Sequence, residues 1–125
     1  MTEPTVGLSG VYTAEVRDHD TAIALGSGSV PVLATPRLVA WLEAAAVAAV
    51  EGAIGDGSTT VGTLIDMQHL AATAVGRPVE ARATVTSFDG RTIEFELSAT
   101  DDRATIATGR HTRVIVDVER FIGRL

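Results

Sequence analysis

Glu43 is the first residue that could do chemistry. It interrupts the run Leu38 to Val50, LVAWL-E-AAAVAAV, in which every other residue is apolar. A carboxylate among apolar neighbours either has its pKa raised or finds a partner. On a helix turning about 100° per residue, Arg37 and Glu51 share a face, and Glu43 stands about 80° from the nearer of them. Two readings follow. Glu43 edges a solvated stripe, or it borders an apolar cavity, where it can serve as general base or nucleophile. His69 is the second candidate. Strand alternation puts it on one face with Val61, Thr63, Ile65, Met67 and Ala71, and sends Gly62, Leu64, Asp66, Gln68 and Leu70 to the other. The first face is the more apolar and is expected to look at the helix. His69 is then either a hydrogen-bonded core or interface histidine, or an acid–base partner for Glu43. Thr35 is the third, directly before Pro36. It reads as an N-cap with proline at the first helical position. The free N–H groups of such a helix start also favour an anion or a developing oxyanion. Eight residues of helix span about 12 Å, so Thr35 and Glu43 of one chain cannot touch. A site using both needs a bend, a substrate between them, or a second subunit.

Other residues carry less. Asp18-His19-Asp20 hints at metal, but alternation splits neighbours between faces, and there are only three histidines in all. No metal site is expected. Gly26-Ser27-Gly28-Ser29 lacks the lysine of a phosphate loop and reads as a flexible loop. Arg110 and Arg113 read as surface residues of a strand that could also receive phosphate or carboxylate groups.

These residues need elements to hold them. The alanine-rich stretch after Thr35 predicts a helix over about 36–53, apolar nearly all round and therefore buried. The rest alternates. Val79, Ala81, Ala83 and Val85 form one apolar face, and Ile93, Phe95, Leu97 and Ala99 another, with Asp89-Gly90 as the hairpin between them. Asp101-Asp102-Arg103 turns into a long strand over about 104–116. Further strands are expected over about 59–72 and 10–17. A short helical turn near the C-terminus would be anchored by Phe121 and Ile122. One strand, one long helix and four hairpin-linked strands make an α+β domain in which an antiparallel sheet of about five strands wraps one buried helix. That is the hot-dog arrangement. One sheet cannot cover all sides of such a helix, so a homodimer is expected, with pairing into a tetramer left open.

Composition narrows the function classes. The 125 residues fit one domain, 1–125, with core enough to fold without staples. With no cysteine there is no disulfide, no thiolate zinc or iron–sulfur site, and no cysteine nucleophile. All ten basic residues are arginine, which removes Schiff-base chemistry. A net charge of −6 with few aromatics argues against nucleic acid as a partner. No apolar run is long enough for a membrane span, and MTEPTVG lacks the pattern of a signal peptide. A cytoplasmic location is the expectation.

Three segments resemble the fluoroacetyl-CoA thioesterase family of hot-dog proteins: ATPRLVAWLE (34–43), GTLIDMQHLAAT (62–73) and GRHTRVIVDVERF (109–121). With the chain between them they cover about three quarters of the sequence. The resemblance implies a catalytic set of Thr35, Glu43 and His69, and substrate contacts from Gly62 and Arg113. It implies hydrolysis of an acyl-CoA thioester at a dimer interface, with no cofactor beyond the CoA carried by the substrate. The family's phenylalanine-rich lid has no counterpart in GSGSVPVLA (26–34), so the expected substrate is a small or medium acyl-CoA other than fluoroacetyl-CoA. Two alternatives stand beside this: a non-catalytic acyl-CoA binding module, and a hot-dog hydratase or dehydratase. The latter pairs an aspartate with a histidine four residues on, a spacing that Asp66 and His69 do not match.

Overall fold

The structure, a computed structural model, describes residues 3–125; Met1 and Thr2 of the N-terminal stretch read above lie outside the described residues. Strand β1 (Ser9–Glu15) is followed by a 3₁₀ turn (Asp18–Asp20) and a one-turn helix, α1 (Ala22–Leu25). Helix α2 (Thr35–Val50) comes next, then β2 (Ser58–His69), β3 (Pro78–Phe88), β4 (Thr92–Asp101), β5 (Thr105–Asp117) and α3 (Val118–Gly123). The five strands form one antiparallel sheet in the order β1-β3-β4-β5-β2. This is the α+β hot-dog arrangement expected above. Among the described residues no helix is long and apolar enough to cross a membrane.

Alternation places the core. The inward residues of β3 and β4, among them Val79, Ala81, Val85, Ile93, Phe95 and Leu97, are buried. They meet Leu38, Trp41, Leu42, Ala45, Ala46 and Ala49 of α2. Each fully buried leucine or phenylalanine here contributes about 2–3 kcal/mol of transfer free energy. The helix lies chiefly over β1 and β3. Gly10 of β1 lies against its backbone: a Cβ at this position would run into Ala45 O and Ala49 N. The sheet then curls, so its far edge, β5 and β2, also reaches α2 through Glu43.

Four expectations change. Helix α2 ends at Val50 rather than 53, because Gly52 takes a φ of 81° that a helix cannot use. It is also not buried all round: Ala40, Val47 and Ala48 are exposed on the side away from the sheet. Phe121 and Ile122 are not core anchors, since α3 buries none of its residues. Strand β2 does not keep one alternation. Its pairing with β5 slips between Gly62 and Leu64, leaving Thr63 as the extra residue of a bulge. One extra residue flips side-chain parity. Thr60 and Gly62 therefore face the helix before the bulge, and Met67 and His69 after it. Val61 and Thr63, expected beside His69, line a cavity on the other side of the sheet.

Candidate active site

The start of α2 explains what Thr35 is free to do. The N-cap is Ala34, with φ −70° and ψ 139°, and no side chain caps the helix. Thr35 is thus the first helical residue and not the cap expected from the sequence. Pro36 follows in the first turn, where its missing N–H costs nothing. The Thr35 hydroxyl is then available, and its Oγ1 lies 2.8 Å from His69 Nδ1.

His69 ends β2 and is half-buried. Burial pushes its pKa below the ordinary imidazole value of 6.5, while the Ala71 backbone works the other way. A neutral ring with its proton on Nε2 lets the threonine hydroxyl donate to Nδ1. Nε2 itself is buried and has no hydrogen-bond partner among the described residues.

Glu43 finds a partner. Its Oε2 accepts from Arg113 Nη1 at 3.0 Å and lies 3.8 Å from His111 Nε2. The carboxylate side chain remains 40% exposed, whereas that of Arg113 is only 8% exposed. Burying a guanidinium requires its donors to be used. Arg113 Nε donates to Thr60 Oγ1 at 2.8 Å, Nη2 to Thr60 O at 2.9 Å, and Nη1 also to His111 Nε2 at 3.1 Å. His111 is buried against Phe95, and its Nδ1 sits 2.6 Å from Leu64 O. Nδ1 must donate to that carbonyl, so Nε2 carries the lone pair that Arg113 meets. Burial lowers the His111 pKa, the Leu64 carbonyl opposes this, Arg113 adds to it and Glu43 opposes it. The ring is a neutral spacer beside the Glu43–Arg113 pair.

Gly62 completes this cluster. A Cβ on it would stand 2.7 Å from Glu43 Oε2 and 3.1 Å from His111 Cε1. Only glycine leaves the carboxylate where Arg113 holds it. Alternation alone had sent Gly62 to the opposite face; the bulge brings it to Glu43.

The structure therefore makes two groups: Thr35 with His69, and Glu43 with Gly62 and Arg113. It does not bring the groups together within one chain, for they sit eight residues, about 12 Å, apart along α2. Asp20 and Arg37 lie near the helix start in another role. Asp20 is buried, accepts from Arg17 N at 2.9 Å and forms an ion pair with Arg37, Nε to Oδ1 3.1 Å, although that N–H is not aimed at the oxygen. Asp20 O also accepts from Ala34 N at 2.9 Å, so this corner seats the N-terminus of α2. Arg110 points outward and pairs with Asp66 at 3.4 Å. The sequence reading missed His111 and Thr60. His111 stands two residues before Arg113 in one strand, which puts both on one face; that was the available signal.

A sheet curled round one helix, with an arginine-held glutamate and a threonine–histidine pair beside it, defines a hot-dog protein of the thioesterase superfamily. The chain belongs to the fluoroacetyl-CoA-specific thioesterase family, whose model matches residues 16–119. It is 34% identical over 90 residues to a fluoroacetyl-CoA thioesterase of Streptantibioticus cattleyicolor. That alignment covers 72% of this chain and 65% of the relative, just under two thirds of the relative's length. A solved fluoroacetyl-CoA thioesterase superposes with a TM-score of 0.91 at 29% identity, covering 96% of this chain and 93% of that one. A mutant of the fluoroacetyl-CoA-specific thioesterase, solved in complex with fluoroacetate and CoA, gives a TM-score of 0.87 at 31% identity over 94% of this chain and 98% of that one.

Proposed function

We propose that this protein is an acyl-CoA thioesterase that hydrolyses a small or medium acyl-CoA thioester to the free acid and CoA. The observation that carries the reading is the pair of prepared groups flanking α2: a neutral His69 bonded to Thr35, and Glu43 held by a buried Arg113. Family membership and the CoA bound to a close structural relative support the same substrate class.

The site is completed by a second copy of the chain. Ala40, Val47 and Ala48 on the outer side of α2, and Leu64 and Ile65 on the unpaired edge strand β2, are exposed apolar surface for that copy. Glu43 of one protomer then faces Thr35 and His69 of its partner across the substrate. Glu43 works as general base or as nucleophile. As base, it takes a proton from water while the water oxygen bonds to the thioester carbon; the C–S bond then breaks and the CoA sulfur leaves with a proton. As nucleophile, its oxygen bonds to that carbon, CoA thiolate leaves, and water cleaves the anhydride. The uncapped N–H groups at the start of α2 hydrogen-bond the carbonyl oxygen as it gains charge, and Thr35, its hydroxyl proton donated to His69 Nδ1, orients the ring toward the reacting centre. His69 carries the proton to the leaving sulfur. Arg113 sets the direction of the carboxylate, and Gly62 leaves room for it. The stretch 26–34 has no aromatic side chain to close over the acyl group, so selectivity for fluoroacetyl is not part of the reading.

The test is thiol release from a panel of CoA thioesters running from acetyl through medium-chain to aryl-acetyl, with fluoroacetyl included. The protein has no thiol of its own to add background. Steady turnover on one class, reduced by about 10³-fold in Glu43→Gln with the oligomer intact, is the expected result. Undiminished turnover in that variant would sink the assignment.

A further inference from the structure

Arginine use across the chain is uneven. Six of the ten arginines form ion pairs with carboxylates, and Arg103 donates to Ala72 O. The other three, Arg91, Arg120 and Arg124, make no ion pair or side-chain hydrogen bond among the described residues. All three line one cavity of about 600 Å³ on the face of the sheet away from α2. Val61, Val114 and Phe121 add an apolar part to its lining. One carboxylate is present, Asp117, and its Oδ1 already accepts from Arg120 N at 2.9 Å to cap α3. The acid nearest Arg91 in the chain, Asp89, is taken by the N–H groups of Arg91 and Thr92. In a chain of net charge −6, three unspent guanidinium groups around one hollow with a partly apolar lining mark a place for a polyanion with an apolar part.

We propose that this cavity binds a phosphorylated nucleotide, the arginines taking the phosphates and the apolar side chains of the lining taking the base. The volume suits such a ligand. Arginine is the residue suited to forked contact with phosphate oxygens. Thr63, the extra residue of the β2 bulge, lines both this cavity and the smaller one that holds Glu43, Gly62 and His111. Thr63 thus stands between the two cavities on edge strand β2. On the thioesterase reading, the nucleotide is the phosphorylated end of the substrate's own CoA, reaching past Thr63 to the carboxylate. A free nucleotide acting as effector has the same chemistry.

The first experiment is calorimetric titration with adenosine 3′,5′-bisphosphate and with plain adenosine, which lacks the phosphates. The bisphosphate is expected to bind, adenosine far more weakly, and affinity to fall with added salt. The triple variant Arg91→Gln, Arg120→Gln, Arg124→Gln is expected to weaken the bisphosphate by at least about tenfold. The triple lysine variant is expected to keep part of the affinity, because the charges stay. All three side chains are exposed, and unfolding midpoints check that the variants fold. No binding of the bisphosphate, or binding that the glutamine variant leaves intact, overturns the proposal. Kinetics then separate the sources. If the substrate's tail occupies the cavity, the variant raises KM for a CoA thioester and not for the matching N-acetylcysteamine thioester. If KM does not move while bisphosphate binding is lost, the ligand is a free nucleotide. Should the protein hydrolyse no thioester at all, the titration still decides the cavity on its own.

Discussion

Thr35 separates two jobs that a polar residue at a helix start can have. A capping threonine stabilises the helix, and its loss costs about 1 kcal/mol. Here Ala34 is the N-cap and the Thr35 hydroxyl turns to His69 instead. Thr35→Ala is therefore expected to leave the unfolding free energy within about 0.5 kcal/mol of the parent while turnover falls by about 10–10². Denaturant melts beside thiol-release rates check both halves. A matching drop in stability would mean the hydroxyl caps after all. Sequence made Thr35, Glu43 and His69 visible for different reasons. A lone acid in an apolar helix, and a histidine on an apolar strand face, are conspicuous because their surroundings are wrong for them. His111 and Thr60 escaped notice because their role is to surround Arg113: the one local trace of His111 is its place two residues before Arg113 in β5, and Thr60, which meets Arg113 across the sheet, leaves none.

At the scale of elements, Gly10 and the alanines of α2 set how near the helix comes to β1. The added methyl of Gly10→Ala has backbone, not a flexible side chain, in its way. Overpacking of this kind costs about 1–3 kcal/mol. Urea unfolding is expected to show that loss, and a variant as stable as the parent would mean that helix and strand separate freely. The elements themselves were legible, because β3 alternates from Pro78 to Val85, before its pairing with β4 slips, β4 alternates from Thr92 to Thr100, and Asp89-Gly90 and Asp101 form the turns their side chains suit. The bulge was not. A period of two carries no mark of an inserted residue except a glycine within the strand, and Gly62 was that mark. The consequence was a correct face for His69 and a wrong one for Val61, Thr63 and Gly62.

For the whole molecule, two expectations follow from what the fold leaves open and what it encloses. Val47 is 45% exposed on an apolar side of α2 that no element covers among the described residues. On the dimeric site proposed above, Val47→Arg is expected to give a monomer in sedimentation, with turnover lost because Glu43 would no longer meet the partner's threonine and histidine. An active dimer of that variant would place the interface elsewhere. The second expectation concerns protons. His69 and His111 both have folded pKa values below 6.5. As pH falls through 6.5, the unfolded chain binds protons that the folded chain refuses, so stability falls, and it levels off once the folded values are passed. Melts between about pH 7.5 and 5.5 check the sign, since carboxylates titrate mostly below that window. His69→Gln is expected to flatten the slope. A stability that rises on acidification would contradict the burial of both rings.

The close seat of α2 on Gly10 also works as a fulcrum. One flank of the helix seats on Gly10 of β1, and the opposite flank carries Glu43 over β5 and β2. On the proposed thioesterase function, the spacing of that flank from the sheet bounds the girth of the acyl chain that enters. Side-chain size at residue 10, on the far side of the helix from the chemistry, thereby becomes a gauge for the substrate: raising the helix on β1 tips it down on the glutamate side. Gly10→Ala should shift the preferred acyl group toward slimmer chains, in addition to what it takes from stability.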